Sequence, residues 1–142
     1  MDEKGIKQWP DWYPNKDIIL DDITKNQLIV AEHDDHIVGM LALSPEVPKE
    51  YDEINWKFNK GKATSVHRLA THPLLKTKGL GATLMSFAEN EAKNEAYSFI
   101  RLDTYSLNSI ANKFYRKIGY HYSGDINLQY MPEIYFCFEK EL

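Results

Sequence analysis

The stretch richest in chemistry is Thr71-His72-Pro73-Leu74-Leu75-Lys76-Thr77-Lys78-Gly79-Leu80-Gly81-Ala82. An alternating segment runs into a short basic turn containing glycine, and the turn opens onto a helical pattern. The first-turn amides of a helix have no intrahelical acceptors and carry the positive end of its dipole. Gly79 and Gly81 put no side chain in the way of an approaching phosphate, and Lys76 and Lys78 bring counter-charge. The turn is therefore suited to a phosphate or pyrophosphate. The same residues also make an ordinary solvated connection. Two phosphate loops are excluded. No Gly-Lys-Ser/Thr follows at Walker spacing, and the single Gly-x-Gly lacks the third glycine of a dinucleotide fingerprint.

Other chemistries find little support. His33, His36, His72 and His121 lack metal-ligand spacing, so no metal is expected. The single cysteine, Cys137, excludes an internal disulfide framework and a multi-cysteine zinc site. No Gly-x-Ser-x-Gly turn and no Ser-His-Asp order points to a hydrolase. The formal charge of −4 argues against broad binding to nucleic acid or an acidic membrane. Apolar runs such as Met40–Leu43 stop far short of the roughly 20 residues that span a bilayer. The start, Asp2-Glu3-Lys4, has no apolar signal core, so a cytoplasmic protein is expected.

The elements that must position the turn belong to one domain. A chain of 142 residues, 43% hydrophobic and 27% charged, is long enough to bury a real core. Residues 1–26 read as an N-terminal cover, with aromatics Trp9, Trp12 and Tyr13 punctuated by prolines, then a short helix over Lys16–Asn26. Residues 27–142 read as the core. Gln27–His33 and His36–Ser44 form a hairpin about Asp34-Asp35. Pro45 to Gly61 is a polar and aromatic insertion, expected as a surface loop; its Tyr51 and Trp56, together with Trp9, Trp12 and Tyr13, could wall an acceptor pocket or cap the core. Ala63–Thr71 is a strand. From Gly79 to Asn94, Leu80, Leu84, Met85, Phe87, Ala88 and Ala92 recur at helical spacing. Ser98–Tyr105 is a central strand with Ile100, Leu102 and Thr104 on one face. Asn108 can cap a helix carrying Ile110, Phe114 and Ile118 on one stripe and ending at Gly119. Ile134–Glu139 is a late strand. The fold class is α/β in the α+β sense, a mixed sheet with helices packed on it.

The turn Lys76-Thr77-Lys78-Gly79-Leu80-Gly81 resembles the acetyl-CoA turn of the GCN5-related N-acetyltransferases, Arg/Gln-x-x-Gly-x-Gly/Ala, with Lys76 in place of the usual Arg or Gln. His67–Pro73 looks like the family's fourth strand. Asn108-Ser109-Ile110-Ala111-Asn112-Lys113-Phe114-Tyr115-Arg116-Lys117-Ile118-Gly119-Tyr120 resembles the family's second motif, Asn-x-x-Ala-x-x-Phe/Leu-Tyr-x-x-x-Gly-Phe/Tyr. The two motifs stand in the family's order and at about its spacing. The likeness runs from about Gln27 to the C-terminus and implies a mixed, largely antiparallel sheet flanked by helices. Members usually have a strand and a helix before the segment resembling Gly5-Ile6-Lys7-Gln8-Trp9, so the chain is expected to lack them. An edge left unpaired in that way would favour self-association.

The resemblance implies transfer of an acetyl group from acetyl-CoA to a primary amine of a small molecule or peptide. It places the pyrophosphate on the amides of Lys76, Thr77, Lys78, Gly79, Leu80, Gly81 and Ala82. The pantetheine arm falls to the backbone of Leu69, Ala70 and Thr71 and to Asn108, with Ala111 and Tyr115 beside it. Tyr115 stands where the family has its general acid. A phenol near pKa 10 stays protonated at neutral pH and can donate to a thiolate whose thiol has a pKa of about 8.5. By spacing alone Tyr115 would simply pack on the helix stripe. An acceptor amine of pKa about 10.4 needs a proton sink. His67 is one candidate, since arylalkylamine acetyltransferases resemble this run and use a histidine there, and Glu53 of the insertion is another. No serine or cysteine stands in an acyl-carrying motif, which favours direct attack in a ternary complex. The alternative is a CoA-binding or interaction module of the same fold with weak catalysis. The acceptor's identity is not legible, and a homodimer is left open.

Overall fold

The computed structural model describes residues 16–72, 79–129 and 131–142. The aromatics Trp9, Trp12 and Tyr13 and the turn residues Lys76, Thr77 and Lys78 lie outside them. The element order is α1 (Lys16–Thr24), β1 (Leu28–His33), β2 (His36–Ser44), a 3-10 turn (Lys49–Glu53), β3 (Ala63–Thr71), α2 (Leu80–Asn94), β4 (Phe99–Tyr105), α3 (Ser109–Lys117), β5 (His121–Ile126) and β6 (Tyr135–Glu141). Six strands form one sheet in the order β1-β2-β3-β4-β6-β5. Every pairing is antiparallel except β3 with β4, which are joined by α2 and run parallel.

Local chemistry explains the turns. The β1–β2 hairpin closes on Asp34 and Asp35 with φ of 50° and 65°, the left-handed pair a two-residue hairpin needs and that Asp tolerates. Asn108 caps α3 by accepting from the Ala111 amide at 3.1 Å. Gly119, at φ 99°, follows α3 in the conformation that ends helices.

Both faces of the sheet are covered. On one, Leu84, Met85, Ala88 and Ala92 of α2 and Tyr115 of α3 pack on Leu41, Val66, Ile100, Leu102 and Phe138. On the other, Tyr51 and Trp56 of the insertion pack with Tyr105, Ile126, Tyr135 and Cys137. Four expectations need correcting. The insertion is not merely a surface loop, because Tyr51 and Trp56 are buried under it. The α3 stripe is rotated: Ile110 is 53% exposed, and the buried member is Tyr115, with Ala111, Phe114 and Ile118 packed beside it. Phe87 belongs to the solvent side of α2, at 52% exposed. Finally, His121–Ile126 is a strand, unrecognised because an outer strand with four half- or fully exposed polar residues shows little apolar alternation.

Candidate active site

The site starts from a broken pairing. β3 and β4 are matched only at Ala63 with Phe99, Thr64 with Ile100 and Ser65 with Arg101. Beyond that point β3 continues to Thr71 bonded to β2 alone, and β4 continues to Tyr105 bonded to β6 alone. Two parallel strands that diverge mid-sheet leave backbone donors and acceptors facing one another across a gap. Such groups need a partner. The divergence coincides with a bulge: Arg68 and Leu69 of β3 stand opposite the single residue Leu41, between the pairs Ala42–His67 and Met40–Ala70. The extra residue shifts the alternation, so Val66 and Leu69, three apart, both pack toward the helices.

The expected cofactor residues of β3 border this gap. Leu69, Ala70 and Thr71 are its β3 wall. Gly79 begins α2 at φ 86°, with open space where a side chain would stand, and no side chain among the described residues caps this helix end. Leu80, Gly81 and Ala82 form the first turn of α2, and Thr83 is the first to bond back, to the Gly79 carbonyl. Gly81 is also a close approach, since a Cβ there would lie 3.3 Å from the Phe114 ring. Thr104, at the diverging end of β4, has a buried hydroxyl with no partner among the described residues.

Tyr115 is buried among aromatics, its ring 5.2 Å from Phe114 and 6.0 Å from Phe138. Burial first, and the Asp103 charge second, push its phenol well above the ordinary value, so it holds its proton. His67 lies two residues past the last pair on β3, and Asp103 two residues past it on β4. The two therefore flank the opening on the same face of the sheet. The His67 Nε2 is 3.0 Å from the Glu46 carbonyl oxygen and 2.7 Å from Ser65 Oγ. A carbonyl only accepts, so Nε2 carries the hydrogen and Nδ1 keeps the lone pair. Burial, opposed by Asp103, holds the imidazole below its ordinary pKa, hence neutral.

Asp103 escaped the sequence reading, and Tyr51 entered it only as a possible pocket wall or core cap. The Tyr51 hydroxyl donates to Asp103 Oδ2 at 2.5 Å, across the sheet face. Burial raises the Asp103 carboxyl, while the Tyr51 hydrogen bond and His67 pull it back. The only signal was an acid inside the otherwise buried run Phe99–Tyr105. Glu53 is exposed at the end of the 3-10 turn and is not brought into this group, whereas Tyr51, two residues earlier, is. His67 also lines an open cleft of about 590 Å³ whose other walls include Asp17, Asp21, Glu46 and the paired Asp22 and Arg68.

The fold has counterparts in known proteins. The sequence profile of the acetyltransferase (GNAT) family matches residues 3–120. The chain belongs to that family. It is 30% identical, over 99% of its own length and 76% of the relative's, to the uncharacterized N-acetyltransferase YesJ of Bacillus subtilis. Among solved structures, a GNAT-family acetyltransferase of Streptococcus agalactiae superposes with a TM-score of 0.78 at 23% identity, over 94% of this chain and 76% of that one. A Bacillus anthracis protein assigned as a streptothricin acetyltransferase, solved with acetyl coenzyme A, gives 0.64 at 22%, over 81% and 61%. The expected α+β class with a mixed, largely antiparallel sheet is thus the family's fold, and the chain is an N-acetyltransferase by family. No helix among the described residues is long and apolar enough to cross a membrane. No group of three or more metal-ligating side chains occurs among them either.

Proposed function

We propose that the chain moves an acetyl group from acetyl-CoA to a primary amine of a small molecule or peptide, by direct attack within a ternary complex. The observation that carries this reading is the divergence of β3 from β4 beyond Ser65 and Arg101, with His67 and Asp103 level with each other past the last pair and Tyr115 within reach of the Asp103 charge. Acetyl-CoA supplies the activated acyl group and a thiolate leaving group. The chain binds, orients and moves protons.

In this reading the unpaired edge of Leu69–Thr71 takes the amides of the pantetheine arm as a strand would. Asn108 and Ala111 at the start of α3 flank the arm. The first-turn amides Gly79–Ala82, with the Lys76–Lys78 turn, take the pyrophosphate. Tyr115 donates its proton toward the departing sulfur, and Nδ1 of His67 takes one from the amine. We favour His67 over Glu53 as the base because its tautomer is set by the Glu46 carbonyl and it lies level with Asp103. Beyond the Asp22–Arg68 pair, the cleft beside His67 carries Asp17, Asp21 and Glu46, which suits a protonated amine better than a polyanion such as nucleic acid. Cys137 is fully buried, and burial pushes its thiol up, which disfavours an acyl-enzyme.

Thermal unfolding with acetyl-CoA, CoA and ATP, followed by thiol release with a panel of amines, tests the reading. Each CoA species at about 100 times its Kd adds roughly 2.7 kcal/mol, and ATP adds nothing comparable. Tyr115→Phe lowers kcat by about 100-fold while leaving acetyl-CoA affinity unchanged. Stabilisation by CoA without turnover of any amine would favour the binding-module alternative.

A further inference from the structure

Arg68 occupies a position whose backbone favours glycine. Its φ is +57°, in the left-handed region, at the first residue of the β3 bulge, where bulges of this kind ordinarily place glycine. A side chain retained there at a conformational cost invites the question of what it does. The Arg68 guanidinium donates from Nε to Asp22 Oδ2 at 2.8 Å and from Nη2 to Asp22 Oδ1 at 2.5 Å, a two-pronged pair. The pair is sheltered, with the two side chains only 12% and 4% exposed. Asp22 is itself fixed. Its carbonyl accepts from the Gln27 amide at 2.8 Å, and the Gln27 carbonyl accepts from Leu43 of β2 at 2.8 Å. A buried charge that loses its partner is strongly disfavoured, so each member holds the other in place.

We infer that Asp22 and Arg68 are positioning residues for acetyl-CoA: the ion pair between α1 and the bulge holds Arg68 in its left-handed conformation and thereby sets the angle at which β3 leaves β4. The inference rests on the acetyl-transfer reading, because the wall so positioned, Leu69–Thr71, is the one assigned to the pantetheine arm. The bulge turns Leu69 toward the helices and bends the strand where its pairing with β4 stops. A change in the backbone at 68 therefore moves each hydrogen-bonding group of the next three residues. Neither side chain touches the cofactor in this scheme. They act through the backbone.

Calorimetric titration of acetyl-CoA into the full chain and into Arg68→Ala, Arg68→Gly and Asp22→Asn separates this role from plain stabilisation, with kcat measured alongside. Arg68→Ala and Asp22→Asn should weaken acetyl-CoA binding about tenfold, less than the roughly 100-fold that a 1 Å misplacement can cost. At saturating acetyl-CoA and amine, and above the acid limb set by His67, their kcat should change by less than their acetyl-CoA affinity. Arg68→Gly lacks the pair too, but it adopts the bulge conformation without strain, and so should recover most of the affinity lost in Arg68→Ala. A brace that only adds stability would lower Tm and leave the affinity of the folded variants at the wild-type value, which would overturn the inference. So would a glycine variant as weak as the alanine variant. Should Arg68→Ala fail to fold, Asp22→Asn decides, since it keeps the shape of the side chain and one acceptor oxygen. If wild type itself does not bind acetyl-CoA, the acetyl-transfer reading fails first, a result distinct from unchanged affinities in the variants.

Discussion

The two faces of the sheet are built differently. The helix face is sealed by α2 and α3 with apolar residues, Leu84, Met85, Ala88 and Ala92 against Leu41, Ile100 and Phe138. The opposite face is covered by an irregular segment, and polar groups are buried under it. Glu139 accepts from the Lys57 amide at 3.0 Å and the Phe58 amide at 2.6 Å. Arg101 lies 4.5 Å from the Trp56 ring centre and donates to the Phe58 carbonyl. Tyr51 donates to Asp103. Regular helices bury apolar stripes with no polar cost, whereas a covering loop must have its backbone groups satisfied by side chains from the sheet. On the acetyl-transfer reading, the difference separates the apolar packing that carries stability, on the helix face, from acceptor-side chemistry under the insertion. Tyr115 is the exception, a helix-face residue within reach of the charge of Asp103.

The sharpest way to break this comparison is Leu84→Ala. Leu84 is 3% exposed in the centre of the helix face, so its loss should cost about 3–4 kcal/mol in denaturant unfolding. If the division holds, kcat and both KM values of the folded variant stay within about twofold of wild type. A large change in the KM for the amine would mean that the two faces are not separable.

How much of this was legible follows the same division. Most of the helix face was read from periodicity, because an amphipathic helix and a buried strand advertise themselves in apolar spacing, although spacing alone also put the exposed Phe87 and Ile110 on it. Asn108 as cap and the Asp34-Asp35 hairpin were legible because short polar side chains have few other uses at those positions. The insertion face was not legible. Tyr51 meets Asp103 across 52 positions of sequence, and Glu139 reaches Phe58 across 81, and no local pattern encodes such pairings. Arg68 was hidden for another reason. Nothing in the run Val66-His67-Arg68-Leu69 shows that one of its residues has a positive φ, which comes from the register against β2.

Glu139→Gln probes the insertion face with a smaller effect. Both carboxylate oxygens receive backbone N–H groups, and Ser123 Oγ donates to one of them as well. The amide of glutamine would set a donor against a donor at one of these contacts. Unfolding should show a loss of about 2 kcal/mol. The KM for the amine should rise with the loosened insertion while acetyl-CoA affinity holds, the reverse of the pattern expected for Arg68→Ala. Equal changes in both would place the insertion's influence on the cofactor side as well.

The smallest effect concerns protons. His67 is held below the ordinary histidine value of about 6.5, by burial first and with Arg68 adding to it, while Asp103 and Asp22 favour the imidazolium. As the base it should give kcat an acid limb centred below that value. Asp103→Asn removes a charge that supports the imidazolium, so the limb should move to still lower pH. Arg68→Gly removes a charge that opposes it, so there the limb should move up. The stability sign follows separately. Below pH about 6.5 the unfolded chain binds a proton that folded His67 resists, so His67 makes the protein less stable as pH falls through the window beneath 6.5. His67→Gln should flatten that part of the unfolding profile and abolish the acid limb of kcat. Asp103 acts with the opposite sign, since a raised carboxyl binds its proton more tightly in the folded state and its contribution fades as pH rises. Urea unfolding of wild type and both variants across pH 4–7 separates the two slopes. A kcat limb that stays in place in His67→Gln would remove the imidazole from the proton path and return the base to the carboxylates of the cleft.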